Sequence, residues 1–336
     1  MNAKQWTIDD VGPKNLKISE ARVEEARGNN VLIRTEAVSL NSRDKLVLER
    51  GMGSLLNFPF VPGSDMAGLV EAVGEAVTRF KPGDRVISTF APDRIEGHGI
   101  GSARNPPLRT RGGVYPGVLS EYVTLPESWF VRASATLDPA EASTLPASGL
   151  TAWFALVENG KLKAGDIVVV QGTGGVALFA LQIAKAHGAT VIVTSGSPEK
   201  SERVMRLGAD HFIDREGWVE SVYQLTGDYG ADHILELTGG ANVGEALRAV
   251  AVGGHISVIG MFGGETISGP ILPLLLKTPV IYGVSVGHRR ALEDLVKAVD
   301  SLKLKPVIDS RYRFEALPDA LERLGQGPFG KVVIEI

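Results

Sequence analysis

The sequence contains no cysteine, which excludes disulfides, iron–sulfur clusters and thiolate zinc sites. Histidine is scarce, with residues only at 98, 187, 211, 233, 255 and 288. No two of them stand at the i, i+4 spacing that puts a ligand pair on one helix face. Neither sign of charge dominates: 35 basic against 39 acidic residues leave a net charge of −4. No general attraction to nucleic acid follows from that balance. Long apolar runs are missing as well. The greasiest stretch, 271–276, is broken by Pro273 and stopped by Lys277, far short of the ~20 apolar residues that span a bilayer. The first ten residues lack the apolar core of a signal peptide. A soluble cytoplasmic protein, bound to neither membrane nor nucleic acid, is the expectation.

What is present is a 336-residue chain, 44% hydrophobic, with 40 glycines. That length is a prior for two domains and is ample for a large core. Two textures divide it. Up to about residue 125 the apolar segments are short and alternating, and 31–38, 67–73 and 84–88 read as strands. Gly74, Pro82-Gly83 and Gly112-Gly113 mark turns between them. Such spacing predicts a closed or nearly closed β structure. Residues 93–117 form one long irregular loop, a length that is usually functional.

From about residue 149 strands and helices alternate. Strands are predicted at 167–171, 190–194, 232–237, 255–259 and 280–286, with helices at 176–187 and 198–207. Near-uniform apolar strands separated by helices predict a parallel sheet covered on both faces. The tail offers a helix at 318–324 and a final strand at 331–336, which can return to the first domain.

The strongest local signal is Gly172-Thr173-Gly174-Gly175-Val176-Ala177. It follows one predicted strand and opens the next helix, the context in which a glycine-rich turn binds a dinucleotide. Gly172 makes the tight turn, Gly174 admits the pyrophosphate, and Ala177 lets helix and strand pack closely. The helix N-terminus then faces an anion with unpaired N–H groups. An NAD site places Asp or Glu at the end of the second strand. Here that point reads Thr194-Ser195-Gly196-Ser197, followed by Lys200, with Arg215 after the next strand. Hydroxyls and cations bind a 2′-phosphate that a carboxylate would repel, so NADP(H) is favoured over NAD(H). Asp214 beside Arg215 works against this.

The chain resembles the zinc-free branch of the medium-chain dehydrogenase/reductases, near the quinone-oxidoreductase-like enzymes, over nearly its full length. The markers are Asn41-Ser42-Arg43-Asp44, 61–68 (Val-Pro-Gly-Ser-Asp-Met-Ala-Gly), 81–86 (Lys-Pro-Gly-Asp-Arg-Val), Leu150-Thr151-Ala152-Trp153, the 172–177 turn, Gly208-Ala209-Asp210 and the closing 330–334. The resemblance implies an α/β protein. A GroES-like β-barrel catalytic domain covers 1–148 and is completed by 287–336. A Rossmann domain with a doubly wound parallel sheet covers 149–286. It further implies hydride transfer at a nicotinamide and a homodimer joined through Rossmann sheet edges.

Zinc-dependent relatives place a cysteine where this chain has Asn41 and a histidine where it has Ser64, and Pro146-Ala147-Ser148 offers no thiolate. Amide and hydroxyl groups are poor zinc ligands, so no zinc is expected. Reduction of a quinone or an α,β-unsaturated carbonyl suits such a site, because an amide or hydroxyl can stabilise the developing oxyanion. A zinc-independent alcohol dehydrogenase or ketone reductase is the alternative, and a non-catalytic NADPH-binding regulator is a third.

Asn41 is the first candidate for the oxyanion donor; it could instead hold the nicotinamide ribose or stabilise a turn. Asp44 reads as an orienting carboxylate, Ser64 as a second donor or a filler, and Tyr115 in the long loop as a spare proton donor. Phe90 and His98 lie in or beside that loop. Arg43 is a candidate for a cofactor phosphate or a surface ion pair. The resemblance sets Thr151 against the nicotinamide and Ser285 and Val286 at its carboxamide, with Gly260 and Met261 bordering the pocket. Lys331 is placed at the pyrophosphate, a surface lysine being the other reading.

Overall fold

The computed structural model describes residues 1–51, 56–99, 101–105 and 108–336. Residues 100, 106 and 107 of the long loop fall outside that set. The chain divides into two units, Met1–Leu150 with Gly287–Ile336, and Thr151–Val286.

In the first unit, β1 (Asn2–Thr7) and β2 (Lys17–Arg22) form an antiparallel pair. The larger sheet begins with β3 (Asn30–Leu40), which alternates inward and outward along most of its length. Helix α1 (Ser42–Arg50) follows at once, then β4 (Asp65–Val73), β5 (Arg85–Ser88), β6 (Tyr122–Pro126), β7 (Phe130–Arg132) and the one-turn α2 (Pro139–Ala142). A short helix, α3 (Leu150–Trp153), carries the chain into the second unit.

The second unit runs β8 (Ile167–Gln171), α4 (Gly175–Ala186), β9 (Thr190–Ser195), α5 (Ser201–Arg206), β10 (His211–Asp214), α6 (Trp218–Thr226), β11 (Ala231–Glu236), α7 (Asn242–Ala249), β12 (Val250–Val258), α8 (Ile271–Lys277) and β13 (Val280–Gly283). The chain then returns to the first unit through α9 (Arg289–Leu302), β14 (Ile308–Arg313), α10 (Leu317–Gly325) and β15 (Lys331–Glu335).

The six strands of the second unit are all parallel, in the order β10-β9-β8-β11-β12-β13. The order reverses between β8 and β11, the switch point at which such sheets bind ligands. Val169, Ile192, Ile234 and Ile256 from four adjacent strands pack with Trp218 and Leu247 into its core.

The first unit has a ladder β14-β15-β3-β4-β5-β7, with β6 branching from β3. Its pairs are antiparallel except β14 with β15. Trp6, Ile33, Leu40, Met66, Phe130, Phe314 and Ile334 share one core, so the C-terminal segment is packed into the N-terminal one.

Several elements differ from the periodicity-based reading, and three of them bear on the site. Helix α1 was not expected; the Asp44 carboxylate accepts from the Asn41 N–H at 2.8 Å and caps it. The segment 198–207 opens as a 3-10 turn, Pro198–Lys200, before α5. The last parallel strand ends at Gly283, not 286, because the backbone turns away and Val286 adopts a φ of 66°. For a β-branched residue that conformation is strained.

Candidate active site

The glycine turn lies at the carboxyl end of β8. Gly172 has a φ of 83°, which glycine takes at little cost, and its N–H donates to Thr194 O at 2.7 Å. Gly174 is the extended N-cap of α4. A Cβ added at either position would meet nothing within 4 Å, so the room above the turn is kept by the missing side chains. Thr173, Gly175 and Val176 complete the turn and begin the helix, whose first N–H groups have no intrahelical partner. This cradle fits a diphosphate, and a bound nicotinamide dinucleotide would supply hydride chemistry there.

Beneath the turn is a polar cluster that the sequence reading missed. Gln171 Oε1 accepts from Leu237 N at 3.3 Å and from Asn242 Nδ2 at 2.9 Å. Glu236, wholly buried at the end of β11, accepts from Thr238 N, Gly239 N and Asn242 Nδ2 at 3.0, 2.8 and 2.8 Å. Its own backbone carbonyl accepts from Ile259 N and Gly260 N. Glu236 thereby ties together the loops that leave β11 and β12, including Gly260 and the half-exposed Met261. The readable signal is a carboxylate directly after the apolar pair Ile234-Leu235, at the carboxyl end of a strand.

At the end of β9, Ser195 Oγ accepts from Ser197 N at 3.2 Å. Arg215 is folded against this turn: a Cβ on Gly196 would come within 2.5 Å of its Nη2. Ser195, Ser197 and Arg215 are therefore together. Asp214 pairs in register with Ser195 on the neighbouring strand, and Lys200 closes the 3-10 turn that follows. Thr151 is buried at the start of the unit, and Ser285 and Val286 follow the end of β13.

In the other unit, one connected network surrounds Asn41. Lys331 Nζ donates to Leu40 O and to Asn41 Oδ1, both at 2.6 Å. Asn41 Nδ2 donates to Ser64 Oγ at 3.3 Å. Ser64 Oγ donates to Asp65 Oδ1 at 2.6 Å, and Asp65 Oδ2 accepts from Ala147 N at 2.9 Å. Ser64, Asp65, Asp44 and Lys331 are all buried, and Asn41 is the one partly exposed member. Burial pushes the Asp44 carboxyl up to about 6, partly opposed by Arg43 and the Asn41 N–H. Burial likewise raises Asp65 against the pull of Lys331, and lowers Lys331 against Asp65 and Asp44.

Four expectations change. Lys331 is neither a surface lysine nor open to a pyrophosphate: only 4% of it is exposed, and carbonyl oxygens hold its ammonium. Arg43 is not open to a phosphate either. Its Nη1 donates to Arg111 O and Gly112 O, its Nη2 to Thr110 Oγ1, and it lies over the buried Phe90 ring. Ser64 cannot offer its proton to a substrate while it donates to Asp65. Tyr115 donates to Asp93 at 2.7 Å, and burial with that carboxylate pushes its phenol up, so it is no poised acid. His98 is exposed.

Residues 27–135 match the alcohol dehydrogenase GroES-like domain, and residues 175–301 match the zinc-binding dehydrogenase domain. A zinc-type alcohol dehydrogenase-like protein of Schizosaccharomyces pombe is 36% identical, covering 91% of this chain and 90% of the relative. The chain belongs to the medium-chain dehydrogenase/reductase family. Quinone oxidoreductase of Rattus norvegicus is 30% identical over 96% of this chain and 94% of its own. A Sinorhizobium meliloti crystal structure provisionally assigned as an alcohol dehydrogenase is 65% identical, with a TM-score of 0.98, covering 100% of this chain and 99% of that one. As a medium-chain dehydrogenase/reductase the chain is an NAD(P)-dependent oxidoreductase acting on a small molecule, with a GroES-like domain and a Rossmann-type parallel sheet. Among the described residues no helix is long and apolar enough to cross a membrane.

The residues around Asn41 do not fit the zinc ion that the family name suggests. The Ser64 hydroxyl is engaged by Asp65, and the Asn41 oxygen that a divalent cation would need already accepts from the Lys331 ammonium. Two cations at that range repel strongly in a buried setting.

Proposed function

We propose that this chain is an NADPH-dependent reductase of quinones or α,β-unsaturated carbonyls that works without zinc. The observation that carries the reading is the network at Asn41. Its carboxamide is the one partly exposed group in a buried polar chain, with its oxygen held by Lys331 and its Nδ2 turned to Ser64 and Asp65. When bound, the reduced nicotinamide supplies the hydride. In an enone the hydride arrives at the β-carbon and negative charge gathers on the carbonyl oxygen. Asn41 Nδ2 donates to that oxygen, a role worth ~10²- to 10³-fold in rate for a single preorganised donor. Solvent then protonates the enolate. Asp44 acts only through the backbone of Asn41, holding it at the head of α1.

For the adenine end, Ser195, Ser197 and Arg215 support NADPH: two hydroxyls and a guanidinium meet where an NAD-selective site would set a carboxylate. Thr151, Gly260, Met261, Ser285 and Val286 are assigned to the nicotinamide side, and the strained Val286 suits a place where backbone is held for function. The alcohol dehydrogenase names of one relative and of a similar solved structure support a second reading, a zinc-independent alcohol dehydrogenase or ketone reductase, as the quinone oxidoreductase name supports the first.

The pure protein should oxidise NADPH with para-benzoquinone or a simple enone far faster than with a simple aldehyde. Turnover of the aldehyde alone would refute the proposal. Activity should also survive exhaustive chelation.

We infer a homodimer as well. β13 is the edge strand of the parallel sheet, and beside it Leu272, Leu275 and Leu276 of α8 are 61–75% exposed. An unpaired strand edge flanked by exposed leucines is a surface that soluble proteins cover.

A further inference from the structure

A lysine buried in a sheet needs an explanation, because desolvating an ammonium is expensive unless it is well partnered. Among the described residues no carboxylate lies within ion-pair distance of Lys331; its hydrogen bonds go to two neutral carbonyl oxygens. Asp65 and Asp44 act on it from further away. The β15–β3 register pairs Val332 with Leu40, which sets Lys331 beside Asn41. The side chain is thus aimed by the sheet at one carboxamide oxygen.

We propose that Lys331 is a positioning residue for the reduction, one that polarises the carboxamide of Asn41 so that its Nδ2 donates more strongly to the substrate oxyanion. This rests on the reading of Asn41 as the oxyanion donor. The chemistry is that of amide resonance. A cation on the amide oxygen draws electron density from nitrogen, leaving more positive charge on the N–H protons, and hydrogen bonds in such chains strengthen one another. The rest of the network points the group. Ser64 gives its proton to Asp65 and so can only accept from Asn41. Nδ2 is thereby fixed against Ser64 and Asp65, while the carboxamide stays partly exposed. Lys331 supplies, through a carboxamide, part of the positive charge that a metal ion supplies in zinc-dependent relatives.

The test is a double-mutant cycle on the full-length protein, using NADPH with para-benzoquinone or an enone, whichever turns over faster. Lys331→Met should lower kcat by about 10-fold or more while the NADPH Kd, read by fluorescence titration, stays within about 2-fold. Asn41→Ala should lower kcat at least as much, and the double variant should be no slower than Asn41→Ala alone. Lys331→Arg should recover part of the loss. If Lys331→Met slows the Asn41→Ala protein by the same factor as it slows wild type, the lysine is merely structural and the inference is overturned. Loss of NADPH affinity with kcat intact would overturn it too, returning Lys331 to the pyrophosphate. If Asn41→Ala keeps wild-type kcat, the parent reading of Asn41 fails; if Asn41→Ala is slow and Lys331→Met is not, this inference alone fails. Should Lys331→Met fail to fold, Lys331→Met with Asp65→Asn removes the stranded carboxylate, and the same slow kcat with unchanged Kd is expected.

Discussion

The ammonium of Lys331 lies 2.6 Å from the carboxamide oxygen of Asn41, a residue 290 positions earlier in the chain. That contact joins the last strand to the head of the first helix and places a buried cation among two buried carboxylates, Asp44 and Asp65. Charge, not packing alone, shapes this part of the molecule.

Asp44 offers a direct measure of that charge. Its carboxyl is pushed up to about 6 from an ordinary value of 3.8. The folded protein therefore binds a proton between about pH 4 and 6 that the unfolded chain releases. Its contribution to stability is present below about pH 4 and is lost as pH rises through 6. Asp44→Asn should be more stable than wild type by about 1–3 kcal/mol at pH 7.5, an upper bound set by two pKa units, and nearly equal to it at pH 4. Urea unfolding across this range checks the sign. A difference that does not change with pH would show that Asp44 is ionised throughout.

Gly172 and Gly174 separate folding from binding. Gly174 has extended dihedrals open to any residue and clear space above it. Gly174→Val should keep its melting temperature within a few degrees yet lose NADPH affinity by about 100-fold, because the side chain fills the diphosphate cradle. Gly172→Ala should instead lower stability by about 1 kcal/mol through its positive φ. Calorimetry of binding and thermal unfolding read the two effects apart.

The adenine end predicts a change in coenzyme preference. Ser195→Asp should weaken NADPH relative to NADH, since it restores a carboxylate where the 2′-phosphate is assigned. Arg215→Ala should cut the NADPH/NADH affinity ratio by about 10-fold, the scale of one charge-assisted contact. Kd values for both coenzymes decide this, and an unchanged ratio in both variants would move the phosphate elsewhere.

The exposed face of α8 gives the fourth expectation. Leu275→Glu with Leu276→Glu should produce monomers in light scattering with unaltered circular dichroism, because neither side chain is buried in the folded chain. A wild type that is itself monomeric at micromolar concentration would remove the dimer.

The sequence by itself determined the parallel sheet, the glycine turn and the hydroxyl-lined end of β9. Each rests on neighbours within one strand, turn and helix, where spacing and side-chain chemistry suffice. Helix α1 had its signal, Asn41 three residues before Asp44, but a nine-residue helix after a long strand is easily read as a turn. Only the tertiary structure decided where Arg43, Tyr115 and Lys331 spend their donors. Arg43 turned inward to the carbonyls of 111 and 112, Tyr115 to Asp93, and Lys331 to Asn41. The cluster of Gln171, Glu236 and Asn242 was likewise assembled from the ends of two strands and the start of a helix. The physical reason is common to all. A polar side chain drawn out of water must find its hydrogen-bond partner wherever the packed backbone offers one, and sheet register, invisible in the order of residues, fixes which groups are within reach.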